Sequence, residues 1–164
     1  MASIAAWRAP GLIALTVLAV DQATKHWAVN RLGDDSTIEV FWTLQFNLAF
    51  NTGMAFSQGA GLGPVIAVVA TLVIVWLLLS LRSETSRMSV WGMGLLIGGA
   101  AGNLVDRMFG GDAWLRGGVG DFIDFQRFPI FNLADDCINV GAGLLILNSI
   151  LSARRERRDE EARA

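Results

Sequence analysis

Four apolar stretches alternate with polar ones along this chain. They lie at about residues 9–29, 62–81, 89–105 and 132–151. Each comes close to the roughly 20 residues a helix needs to cross a bilayer. The second is the cleanest, with only Thr71 and Ser80 polar. The first holds the run PGLIALTVLAV and then continues as DQATKHW. This pattern predicts an all-α membrane protein: a four-transmembrane-helix bundle forming a single membrane-embedded domain over residues 1–164. No small-residue cleavage site follows a short apolar core near the N-terminus, so the first stretch is expected to be a retained span.

The connections are unequal. Residues 82–87, RSETSR, are short, whereas 30–61 and 106–131 are long and fall together on the opposite side. Within the first long connection, IEVFWTLQFNLAF at 38–50 mixes β-branched and aromatic residues in partial alternation. That predicts one or two strands near the membrane surface. NTG at 51–53 is a turn candidate. Trp27, Trp42 and Trp114 suit an aromatic belt at the interface. The second long connection carries glycine pairs at 110–111 and 117–118 and a proline at 129. It is expected to be flexible or re-entrant, with a short helix. Residues 152–164 read as a solvated tail. Lys and Arg number eight on the side holding both termini and five on the other, which puts the termini in the cytoplasm.

Composition agrees with this picture. Hydrophobic residues make up 53% of the chain, and charged residues only 17%, against about 25% in soluble domains. A net charge of −2 gives no pull on nucleic acid. One cysteine, Cys137, and one histidine, His26, can form neither a disulfide framework nor a typical zinc site. The HExxH pattern is absent, and no metal or cofactor is expected.

Polar residues gather where they are costly. Asp21 and Lys25 end the first apolar stretch, Asn103, Asp106 and Arg107 end the third, and Asn132 and Asp135 begin the fourth. In an alternating four-span chain all three places face one side of the bilayer. Ionisable groups at membrane depth mark a functional site by default. Asn132, Asp135, Asp136 and Asn139 fall at i, i+3, i+4 and i+7, nearly one helical face. Asn132 is a plausible N-cap, which puts Asp135 in the first turn, where the helix dipole favours a carboxylate. Asp121, in VGDFIDF, approaches the same place from the outer side. If Asp121 and Asp135 meet, the two acids share a proton; one can activate water and the other polarise a carbonyl. Asp124 and Asp136 are rivals within the same motifs. Asp21 and Lys25, at i,i+4, can form an ion pair. Arg107 could hold a carboxylate or a lipid phosphate. GGAAG at 98–102 would allow close helix packing. Two other readings use the same residues: a small transporter or channel, in which acids relay protons or ions, and a structural subunit. Transport acids are usually needed near the midplane, whereas these gather at one interface.

At these residues the chain resembles signal peptidase II, the lipoprotein signal peptidase family. The matching pieces are DQATK (21–25), FNTGMAF (50–56), GGAAGNLVDR (98–107), VGDFIDF (119–125) and FNLADDCINVG (131–141). The resemblance implies an aspartic endopeptidase of the bacterial cytoplasmic membrane, with four spans, a small extracytoplasmic β-cradle, a short outer helix within 106–131 and a site near the outer face. It implies cleavage of diacylglyceryl-modified prolipoproteins just before the lipidated cysteine, and sensitivity to the cyclic peptide globomycin. Carried over by motif, Asp121 and Asp135 resemble the catalytic pair. Asn132, Asn103, Asp106 and Arg107 resemble supporting residues, and Asp21, Asn51 and Gly53 further site-lining positions. Membrane lipids are the other expected contact, and one four-helix unit is sufficient for the site, so a monomer is expected. Two departures from the family pattern are a longer stretch between Arg107 and Asp121 and Cys137 in place of a common serine.

Overall fold

A computed structural model describes residues 5–53, 61–81 and 86–163. Four helices and three strands follow in the order α1 (Ala5–Leu32), β1 (Thr37–Phe41), β2 (Leu44–Asn51), α2 (Gly63–Ser80), α3 (Arg87–Phe109), β3 (Val119–Asp124) and α4 (Leu133–Glu161). Each predicted apolar stretch is a helix. Among the described residues α2, α3 and α4 are long and apolar enough to cross a membrane. α1 has the length, 28 residues, but Asp21, Gln22, Lys25 and His26 lower the hydropathy of its second half.

α3 is the hub and packs against the other three helices. Glycines make the approach possible. A Cβ on Gly99 would lie 2.5 Å from the Ala134 carbonyl of α4, and one on Gly98 would lie 2.7 Å from the Ala14 carbonyl of α1. Gly92 and Gly141 face each other across the α3–α4 seam in the same way. Leu77, Leu81, Met93 and Ile97 form the buried core farther along, with Trp7, Ala14 and Leu145 packed around it.

The expected strands form a hairpin, β1–β2, and a third strand joins them in the antiparallel order β1-β2-β3. That strand corrects the sequence reading of 106–131. No short helix forms there: α3 runs to Phe109, the glycine-rich stretch turns, and VGDFID pairs with β2. Gly and Asp are poor strand formers by themselves. Here the partner strand supplies the ladder, with Asp121 opposite Ala49 and Val119 opposite Asn51. The sheet seats on the end of α1, where Ala28, Leu32 and Phe122 are buried together. Trp27, expected at an interface, meets Phe46 edge-on with centroids 5.3 Å apart, while Trp42 and Trp114 stay exposed. The tail is a continuation of α4 to Glu161, with every side chain from 152 to 163 exposed.

Candidate active site

The site forms where α1, α3, β3 and the start of α4 converge. β3 is tied to the residue just before α4: the N–H groups of Phe122 and Ile123 donate to the Phe131 carbonyl at 3.0 and 2.8 Å. This crossing delivers Asp121 beside Asn132. Asn132 caps α4 in a reciprocal box with Asp135. Its Oδ1 accepts from the Asp135 N–H at 3.1 Å, and Asp135 Oδ2 accepts from the Asn132 N–H at 3.2 Å. The same Asn132 side chain donates through Nδ2 to Asp121 Oδ1 at 2.6 Å and to Asn103 Oδ1 at 3.3 Å. Asn103 Nδ2 in turn donates to Asp135 Oδ1 at 2.8 Å. The buried Asn132 therefore links both carboxylates, Asp121 through its side chain and Asp135 through its backbone N–H.

A second layer holds this set in place. Lys25 Nζ reaches Asp21 at 2.9 Å, Asp106 at 2.7 Å and Asn103 Oδ1 at 2.9 Å. With its carbonyl oxygen facing Lys25, Asn103 must turn its NH₂ toward Asp135. Asp21 is fully buried and accepts from the Ala134 N–H at 3.0 Å, so α1 also caps α4. That reach passes over Gly102, where a Cβ would collide with the Asp21 carboxylate. Asp106 accepts from the Gly120 N–H at 3.4 Å, tying α3 to β3. Asn51 hydrogen-bonds Asp121, and its Oδ1 accepts from the Gly53 N–H at 2.9 Å. Gly53 offers its carbonyl to Arg107 Nη2 at 2.6 Å. Arg107 Nη1 is buried and has no hydrogen-bond partner among the described residues.

Asp21, Lys25, Asn51, Gly53, Asn103, Asp106, Arg107, Asp121, Asn132 and Asp135 all lie in this constellation. Residues 54–56 of the FNTGMAF motif fall outside the described residues. Two contributors had not been singled out. Gln22, within DQATK, donates to the Gly102 carbonyl at 3.2 Å and to Asp106 at 3.0 Å. The backbone N–H of Gly120 is the other, and only its place beside Asp121 in the motif hinted at it.

A cavity of about 570 Å³ opens onto the set. Its polar end is lined by Asn51, Asn103, Arg107, Asp121 and Asp135, and its apolar part by Ile66, Ala70, Ala100, Leu104 and Ile138. Asp121 and Asp135 are the carboxylates on its wall. The rivals are elsewhere. Asp124 accepts from Gln45 Nε2 at 2.7 Å and from the Gln126 N–H at 2.6 Å on the far side of the sheet. Asp136 is exposed on α4. Burial raises the Asp121 carboxyl to about 6. The Asn132 and Asn51 bonds and the charge of Lys25 oppose this rise, and the nearby charge of Asp135 adds to it.

Helices of membrane-spanning length around buried acids and a half-apolar cavity define a membrane enzyme, and the comparisons with known proteins agree. The family model described as signal peptidase (SPase) II matches residues 13–151. The lipoprotein signal peptidase of Mycobacterium leprae (strain Br4923) is 40% identical over 139 residues, 84% of this chain and 69% of that protein. That of Mycobacterium avium (strain 104) is 37% identical over 155 residues, 90% and 85% of the two chains. That of Shouchella clausii (strain KSM-K16) is 34% identical over 151 residues, 90% and 96%. A solved structure described as a bacterial membrane enzyme superposes with a TM-score of 0.76 at 26% identity, covering 88% of each chain. A second, described in the same words, gives 0.73 at 28% identity over 85% of this chain and 90% of that one. The chain belongs to the signal peptidase II family and is a multi-pass membrane protease.

Proposed function

We propose that this chain removes the signal peptide from diacylglyceryl-modified prolipoproteins, cutting N-terminal to the lipidated cysteine with Asp121 and Asp135 as the catalytic pair. The carrying observation is that these two carboxylates line one cavity and are joined through the side chain and backbone N–H of Asn132. The cavity's apolar part suits the acyl chains and the leader, and its polar end suits the scissile peptide. Both Asp135 oxygens accept N–H bonds, which orient this carboxylate as an acceptor. Burial favours the protonated form of Asp121. Asp135 then takes a proton from water as the water attacks the carbonyl, and Asp121 donates to the developing oxyanion. Arg107 lines the same cavity, and its guanidinium is a donor for a backbone carbonyl of the substrate.

In this reading all four helices cross the cytoplasmic membrane as one domain. Both termini are cytoplasmic, and the site sits at the outer face. α1 crosses as well, with its polar side chains turned into the network rather than into lipid. The supporting residues Asp21, Lys25, Asn51, Gly53, Asn103, Asp106 and Asn132 position the pair. One chain contains the whole set, so a monomer suffices.

The test is cleavage of a diacylated prolipoprotein by purified enzyme in detergent. Asp121→Asn and Asp135→Asn should each lower kcat by more than about 100-fold, the scale of lost general acid–base catalysis. Turnover within a few-fold of wild type by either variant overturns the assignment.

A further inference from the structure

α4 does not stop where its apolar stretch ends. It continues unbroken to Glu161, carrying Arg154, Arg155, Arg157 and Arg158. All four are exposed, and none has an ion-pair partner among the described residues. At about 100° per residue these four fall within one side of the helix, with Glu161 among them and Asp159 at their edge, while Glu156 and Glu160 lie on the other side.

The side they occupy can be identified. Gly141, Leu145 and Asn148 face the bundle: Gly141 and Leu145 meet Gly92, and Asn148 Nδ2 donates to Ser89 Oγ at 2.9 Å. Val140, Leu147 and Ile150 point away from it and are exposed. Arg154 follows Val140 and Leu147 at intervals of seven residues, and Arg157 and Arg158 follow Ile150 by seven and eight. Arg154, Arg157 and Arg158 therefore extend the outward-facing apolar stripe, and Arg155, seven residues after Asn148, flanks it on the bundle side. Depth fits too. Asp135 and Arg154 lie at the two ends of a stretch of about 28 Å at 1.5 Å per residue, against roughly 30 Å of bilayer hydrocarbon.

We infer that Arg154, Arg157 and Arg158, flanked by Arg155, form a binding surface for the headgroups of anionic phospholipids in the leaflet opposite the catalytic pair. The inference rests on the proposed crossing of α4. Guanidinium groups bind phosphate oxygens in bidentate fashion, and a basic cluster next to a span is held by anionic lipid. Since α4 is one rod, holding its basic end at the headgroups holds Asp135 at the other surface.

The test uses the full-length protein in detergent, titrated with phosphatidylglycerol or phosphatidylcholine, with bound lipids counted by native mass spectrometry. Wild type should retain phosphatidylglycerol in preference. The R154Q/R155Q/R157Q/R158Q variant should lose that preference by about fivefold for each arginine removed, whereas R163Q keeps it. In wild type, raising salt toward ~1 M, where the Debye length is roughly 3 Å, should abolish it. Inorganic phosphate should not displace the lipid. Equal retention of both lipids by wild type, an unchanged preference in the quadruple variant, or displacement by inorganic phosphate overturns the inference. Cleavage measured on the same samples judges the peptidase proposal separately, and the quadruple variant should cleave in detergent as wild type does.

Discussion

An amide both donates and accepts, and Asn132 uses both ends. Its NH₂ meets Asp121 and Asn103, and its carbonyl oxygen meets the first turn of α4. A carboxylate there would repel Asp121, and an alkyl group would leave Asp121 with less to oppose its burial. Asp121 carries a cost that has a sign. Its folded pKa is raised from 3.8 to about 6, so the folded chain holds this proton more tightly than the unfolded chain. Stability from this group is full below about pH 4 and is lost as pH rises to about 6, by about 3 kcal/mol. Asp121→Asn keeps an oxygen for Asn132 and has no charge to bury. Its melting temperature in detergent should exceed wild type at pH 7–8, and the gap should close below about pH 4. A variant that melts lower than wild type at pH 8 would refute this account. The expected result would make the carboxylate a site feature kept at a cost in stability.

At the scale of elements, α3 works through its small residues. The close approach at Gly99 brings the Ala134 end of α4, and with it Asp135, against α3. Gly99→Ala or Gly141→Ala should force α4 outward, costing about 1–3 kcal/mol, and reduce cleavage as Asp135 moves. Gly143, on the same helix, has nothing within 4 Å of an added Cβ. Gly143→Ala should therefore melt and cleave as wild type does. Parallel melting and cleavage curves for the three variants check this, and equal loss in all three would mean that helix packing is not the cause.

Across the whole molecule, Lys25 is the charge that fastens α1 to α3. It pairs with Asp21 and Asp106 together, and Asp21 in turn caps α4. Removing one partner from a buried pair costs about 3–5 kcal/mol, because the remaining charge is left uncompensated. Lys25→Met should lower thermal stability by that amount and lower cleavage with it. Adding Asp21→Asn to Lys25→Met should restore part of the stability. A Lys25→Met variant as stable as wild type would show that the network does not hold the helices together.

Much of this was legible in the chain. Four helices followed from apolar length, and the cap at Asn132 from the Asn-x-x-Asp spacing that opens α4, because both depend on local geometry. Most residues of the network were named because polar groups at such depth are expensive anywhere, and Asn51 and Gly53 through the family resemblance alone. The strand nature of VGDFID was not legible, since β3 exists only by pairing with β2 some 70 residues earlier. Nor was the choice of Asp121 over Asp124 a matter of residue type. Both lie on β3, and only the fold turns one toward the cavity and gives the other to Gln45 and Gln126. The sequence by itself determined which residues resist being in lipid. The tertiary structure decided which of them meet, because hydrogen bonds among α1, α3, β3 and α4 require a register between segments far apart in the chain.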